Sequence, residues 1–185
     1  MADVTSLRKG NIFVEGDVLW RVMEFHHIKM ARGGATIRLK VRNVRTGSLV
    51  EKTFNNGARV EDVRLEGRTM EYLYPEGDQY VFMDTNTYDQ VSLTQEILGE
   101  ALDYLSDNQT LEVEFYGEEA LGVTLPTTVD LQVTWAEMAV AGDTANNPTK
   151  AVELESGLKL QVPMFVKEGD TIRVDTRDGR YVTRV

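Results

Sequence analysis

Thr36-Ile37-Arg38-Leu39-Lys40-Val41-Arg42 alternates apolar and cationic residues without a break. A strand points successive side chains to opposite faces, so Ile37, Leu39 and Val41 fall on one side and Arg38, Lys40 and Arg42 on the other. One face suits a core and the other is cationic. Upstream, the run from Val18 to Phe25 reads as a second strand, and the connection Met30-Ala31-Arg32-Gly33-Gly34 makes the pair a long hairpin with Arg32 near its tip. From His26 to Arg45 the chain carries six Lys/Arg, two His and no acid, although its formal net charge is -10. Such a concentration of one sign points to an anionic partner, with nucleic acid fitting best.

The charge is segregated along the whole chain. Residues 1–64 hold 12 Lys/Arg against 7 Asp/Glu, residues 65–126 hold 1 against 14, and residues 127–185 hold 7 against 9. Phosphate contact requires Lys or Arg, so the first third is equipped to meet a nucleic-acid backbone and the middle third is not. At 185 residues, 42% hydrophobic and 27% charged, the composition is globular. The absence of cysteine excludes disulfides, thiol catalysis and cysteine-ligated zinc, and fits a reducing compartment. The N-terminus Met1-Ala2-Asp3-Val4-Thr5 lacks the pattern of a signal peptide, and no run reaches the roughly 20 apolar residues of a membrane span. The expectation is a cytoplasmic protein with no membrane contact.

Period-two patterns recur at Ser48–Phe54, Gln79–Met83, Leu111–Tyr116, Val129–Thr134, Leu158–Val162, Thr171–Asp175 and Tyr181–Arg184. Short strands separated by Gly, Asn and Asp turns predict an all-β chain of small barrels. One helix is predicted from about Gln95 to Leu105, with Thr94 as N-cap, a Leu93/Leu98 staple and an apolar stripe of Ile97, Leu98, Ala101, Leu102 and Leu105. A short helical turn is predicted over Asn56–Asp62. Charge reversal near Arg64-Leu65 and the proline at Pro126-Thr127-Thr128 predict three units, 1–64, 65–127 and 128–185.

Among candidate chemical groups, Gly33 and Gly34 allow close backbone approach at the tip, and the guanidinium of Arg32 offers five planar donors to phosphates or base edges. Lys29, Arg38 and Lys40 flank it. His26 and His27 point to opposite faces of a strand and so do not share a metal; no metal or cofactor is expected. Glu118-Glu119 reads as an acidic turn rather than an acid/base pair, since no nucleophile accompanies it. Ala141–Lys150 is a polar loop of small residues, a linker by composition, whose amides also suit unstacked RNA bases. Gly179–Arg184 reads as a last strand, with Arg180 and Arg184 available to phosphate.

Lys150-Ala151-x-Glu153-x-Glu155-x-Gly157, followed by Val162-Pro163-x-Phe165-Val166-x-x-Gly169-Asp170-x-Ile172-x-Val174-Asp175-Thr176-x-x-Gly179-x-Tyr181-x-x-Arg184, closely resembles the C-terminal signature of the bacterial elongation factor P family. The resemblance extends through Thr53-Phe54-Asn55-Asn56-Gly57, Tyr72-Leu73-Tyr74-Pro75-Glu76-Gly77 and Phe82-Met83-Asp84, and so covers essentially the whole chain. It implies an SH3-like (KOW-type) barrel followed by two OB-folds, arranged as an L resembling tRNA. It implies a non-catalytic, monomeric factor that binds both ribosomal subunits between the peptidyl and exit tRNA sites and relieves stalling at consecutive prolines.

The resemblance also implies residue roles. Arg32 takes the loop-tip position facing the acceptor end of the peptidyl (prolyl) tRNA. Lys29, Gly33 and Gly34 support that tip, while the cationic face of Arg38, Lys40 and Arg42 reads, from its own residues, as the part that contacts tRNA and rRNA. Gly142, Asp143 and Thr144 match a loop close to the exit-site codon of the mRNA, and Tyr181 and Arg184 match positions facing the small subunit. Many members carry lysine in a Pro-Gly-Lys-Gly tip and extend it enzymatically, whereas this tip reads Met30-Ala31-Arg32-Gly33. Arginine members include rhamnosylated and unmodified examples, so an arginine-modifying enzyme is one implied partner. The alternatives are a close paralogue with other clients and a barrel-type RNA-binding module acting off the ribosome.

Overall fold

The computed structural model describes residues 1–28, 35–138 and 148–185. Antiparallel sheets account for almost all of its regular structure. The first contains β1 (Ala2–Asp3), β2 (Ile12–Glu15), β3 (Val18–Ile28), β4 (Thr36–Asn43), β5 (Leu49–Asn55) and β6 (Arg59–Val63), in the order β1-β6-β2-β3-β4-β5. Ile37, Leu39 and Val41 are fully buried, together with Val4, Phe13 and Val22, while Arg38, Lys40 and Arg42 are exposed. The alternation read from the sequence therefore decides which side of β4 is core. Gly16 and Asp17, both at positive φ, link β2 to β3 in the two-residue turn whose twist suits an antiparallel pair.

The predicted helical turn over Asn56–Asp62 is instead a tight turn and a strand. Gly57 adopts a φ of 85°, the Ala58 N–H donates to the Asn55 carbonyl at 3.1 Å, and β6 then pairs with β2. Val60 is buried in the core, a placement that an extended backbone beside β2 achieves.

The second sheet contains β7 (Glu66–Glu76), β8 (Gln79–Asp84), β9 (Gln90–Thr94), β10 (Thr110–Tyr116) and β11 (Glu119–Thr124), in the order β11-β10-β7-β8-β9. Its helical segment is shorter and tighter than predicted: α1 spans Gln95–Leu98, and a 3-10 helix spans Gly99–Tyr104. Gly99 breaks the α geometry at φ 51°, ψ -129°, and Thr94 sits at the N-cap without a side-chain hydrogen bond. Three residues per turn brings Leu98, Ala101 and Tyr104 into register, and all three are buried.

The third sheet contains β12 (Thr128–Ala136), β13 (Thr149–Leu154), β14 (Lys159–Pro163), β15 (Thr171–Asp175) and β16 (Arg180–Arg184), in the order β14-β13-β12-β15-β16. Leu131, Val133, Val152, Leu154, Val162, Ile172 and Val174 form its core with Tyr104. Thr149 and Lys150, loop by composition, belong to β13, and the buried Lys150 lies opposite Val162. Two compact units divide the chain, Met1–Glu66 with Tyr116–Leu121 and Gly67–Phe115 with Gly122–Val185. Among the described residues no helix is long and apolar enough to cross a membrane.

A single extra residue sets the phase of the hairpin. Strict alternation would put Trp20, Val22, Glu24 and His26 on one face of β3. The ladder with β4 instead shifts between Val22 and Glu24, so Met23 is the additional residue of a bulge. Beyond it Phe25 joins the core while Glu24 and His26 turn outward. Deleting Met23 is expected to close the bulge and keep Phe25 inward with Glu24 and His26 outward, because the rungs Val22–Val41 and Glu24–Lys40 then become adjacent, at a cost of about 1 kcal/mol. Met23→Ala, which keeps the residue count, should cost about 1 kcal/mol. A loss of about 3 kcal/mol or more on deletion, the scale of emptying an aromatic core position, would show that Phe25 had turned outward and that Met23 is not the extra residue.

Candidate nucleic-acid interface

The outward face of the β3–β4–β5 ladder is built by register. His26 lies opposite Arg38 and Glu24 opposite Lys40 on one side, and Arg38 opposite Thr53 and Lys40 opposite Glu51 on the other. The sequence predicts this face as cationic. The structure corrects that to a mixed-charge surface. Arg38 Nε lies 3.1 Å from Glu51 Oε1, Lys40 Nζ lies 3.2 Å from Glu24 Oε1, and His26 Nε2 lies 3.3 Å from Glu24 Oε2. Hydrogen bonding from His26, then from Lys40, holds the Glu24 carboxyl below the usual carboxylate range. These groups line a shallow groove of about 270 Å³ with Leu49 and Val50. Arg42 is exposed on the same strand, across the ladder from Arg21.

Pairing from Glu24 with Lys40 to Ile28 with Thr36 is symmetric about sequence position 32. Lys29, Arg32, Gly33 and Gly34 themselves lie outside the described residues, as do Gly142, Asp143 and Thr144. His26 and His27 are both exposed. No group of three or more His, Cys, Asp or Glu able to hold a metal occurs among the described residues.

Glu118 lies in the turn before β11, as the sequence predicts, but Glu119 begins that strand and has a defined partner. Arg45 grips it with two parallel bonds of 2.8 Å, Nε to Oε1 and Nη2 to Oε2, and also donates from Nη1 to the Asp17 carbonyl at 3.1 Å. This bidentate pair holds the Glu119 carboxyl below its ordinary range, so it serves as an ionised acceptor. All three residues belong to one compact unit.

On β16 the two predicted contact residues are held differently. Tyr181 is half-buried against the third core, so part of its ring is structural. The Arg184 guanidinium lies over the exposed Phe165 ring at 5.6 Å, with Nη1 3.6 Å from Asp170 Oδ2. Arg180 faces Asp178 at 3.5 Å. Nearby, Asp175 accepts from the Arg177 side chain at 3.0 Å and from its backbone N–H at 2.9 Å, which lowers its pKa from 3.8 to about 2. A folded-state pKa below the unfolded value contributes stability that is present above 3.8 and lost as pH falls through about 2. Carboxyl NMR should therefore place the Asp175 midpoint near 2, and Asp175→Asn should flatten the stability profile in that window. A midpoint at 3.8 would contradict the pairing.

Three family models match in chain order: the elongation factor P KOW-like domain over residues 3–60, the elongation factor P OB domain over 65–123 and the elongation factor P C-terminal domain over 129–184. Among solved structures, the chain is similar to a translation initiation factor 5A from Methanococcus jannaschii. That match has 21% identity and a TM-score of 0.53, and covers 66% of this chain and 92% of the other. A translation initiation factor eif-5a family protein from Naegleria fowleri matches at 12% identity and a TM-score of 0.51, over 67% and 94% of the two chains. At these identities the likeness is one of fold.

Proposed function

The chain belongs to the elongation factor P family, and on that premise we propose that it binds the ribosome between the peptidyl and exit tRNA sites and speeds peptide-bond formation at consecutive prolines. The observation carrying this reading is the β3–β4 hairpin, whose outward cations lie on a stem symmetric about position 32. In this reading the sheet face of Arg38, Lys40 and Arg42 holds RNA phosphates and Arg32 extends toward the acceptor end of the peptidyl tRNA. Lys29, Gly33 and Gly34 support the approach. Gly142, Asp143 and Thr144 meet the mRNA at the exit-site codon, and Tyr181 and Arg184 meet the small subunit.

The physical task is orientation. Proline has no amide hydrogen and a fixed φ, which makes it a poor partner in peptide-bond formation. A factor that holds the peptidyl-prolyl-tRNA near attack geometry lowers the entropic part of the barrier while ribosomal RNA performs the chemistry. The factor is then monomeric, needs no cofactor of its own and is not an enzyme. The three units 1–64, 65–127 and 128–185 divide the work, and the charge of -13 over residues 65–126, from 1 Lys/Arg against 14 Asp/Glu, keeps the middle unit off phosphate.

In a reconstituted translation assay on a message encoding a proline run, added protein should raise full-length yield and leave a proline-free message unchanged. Equal yields with and without the protein, under conditions that stall, would refute the proposal. Polysome sedimentation separates it from an off-ribosome RNA-binding module, which would bind naked RNA and leave the ribosomal fractions empty.

A further inference from the structure

Glu24 and Glu51 stand where phosphate oxygens would stand if the hairpin face were a simple RNA-binding surface. Each carboxylate sits on one cation, Glu24 on Lys40 at 3.2 Å and Glu51 on Arg38 at 3.1 Å. Folding does not require this. Roughly half of each of these four side chains is exposed, and ion pairs at such exposure contribute little to stability. The bulge at Met23 nevertheless turns Glu24 outward onto this face, and the β4–β5 register brings Glu51 beside Lys40 and within reach of Arg38.

We infer that Glu24 and Glu51 are internal competitors for Arg38 and Lys40, so that the hairpin face rejects single-stranded RNA that offers phosphate alone. The inference rests on the ribosome-binding reading of the same face. Arg38, Lys40, Glu24 and Glu51 together carry no net charge, so a passing RNA strand must displace a carboxylate for each phosphate it seats on Arg38 or Lys40. Non-specific affinity grows with the number of phosphates neutralised, and here that number is held down. A site that also holds the hairpin by shape compensates for the displaced carboxylates, whereas an unstructured strand does not. Glu24 and Glu51 thereby act as specificity residues.

The test uses the full chain, polyuridine as an RNA with no ribosomal structure, and 70S ribosomes. In Glu24→Gln/Glu51→Gln, two uncovered cations should steepen the salt slope for polyuridine by up to about 1.4, at about 0.7 per single-strand phosphate. That slope makes the fall in affinity between 50 and 200 mM salt about sevenfold larger than for the unaltered protein. Glu61→Gln/Asp62→Asn changes net charge equally at exposed positions of β6, which is none of the strands that form this face, and should leave the slope alone. An unchanged slope in the first variant, or an equal change in the second, would overturn the inference. The 70S arm is independent: if ribosome affinity does not depend on Arg38 and Lys40, the ribosome-binding reading fails, whatever polyuridine does.

Discussion

Arg32→Ala is expected to abolish most of the proline-run rescue while leaving the protein folded and bound to the ribosome. On the proposed reading Arg32 extends from the hairpin toward the tRNA and not into the core, so the variant should lose only what a surface substitution loses, about 0.5 kcal/mol or less. Rescue is different, because under the proposed function it depends on a donor group placed beside the reacting tRNA. Misplacement of a positioned group by about 1 Å costs on the order of a hundredfold in rate, so a loss of roughly ten- to hundredfold in prolyl–prolyl bond formation is expected. Arg32→Lys should lie between the two, since lysine keeps the charge and loses the planar fork. The diagnostic is a fall in rate at saturating factor with little change in ribosome affinity. Full rescue by Arg32→Ala would remove Arg32 from the reaction centre. Intact mass of protein from its own host then decides whether the guanidinium works bare or extended, through a shift confined to the peptide containing Arg32.

What the sequence discloses and what it conceals follow from the range of the interactions involved. The inward set Ile37, Leu39 and Val41 is legible because strand alternation is local and the cations between them leave no second interpretation. The bulge at Met23 is not, since Trp20, Val22 and Phe25 mark a core face only once the partner ladder is known. Counting charge from His26 to Arg45 finds no acid, yet the face carries two. Glu24 sits just before that window and Glu51 arrives from the next strand, so only the register unites them with Lys40 and Arg38. β7 escapes a sequence reading for a related reason: Gly67 and Pro75 lie within its span and blur the alternation. The helix is legible in its apolar content but not in its pitch, because Leu98, Ala101 and Tyr104 satisfy a three-residue period that the α template absorbs.

Arg38→Gln/Lys40→Gln is the stronger test of the proposed RNA-facing surface, because it removes the cations and leaves their acids behind. Removing two charge-assisted hydrogen bonds to phosphate, at about 1.5 kcal/mol each, corresponds to roughly hundredfold weaker ribosome binding at low salt. Glu51 and Glu24, the latter left with His26 alone, then face phosphate without their cations, so the observed weakening should exceed that figure and shrink as salt screens the repulsion. The salt slope should flatten by up to about 1.4–1.8 for two phosphates. Adding Glu24→Gln and Glu51→Gln to the same chain should restore part of the affinity, since a neutral face neither attracts nor repels. That partial recovery is a coupling that independent sites would not display. A salt slope equal to that of the unaltered protein would show that this face meets no phosphate. The absence of recovery in the quadruple variant would show that the two carboxylates act only on their own cations and not on the RNA.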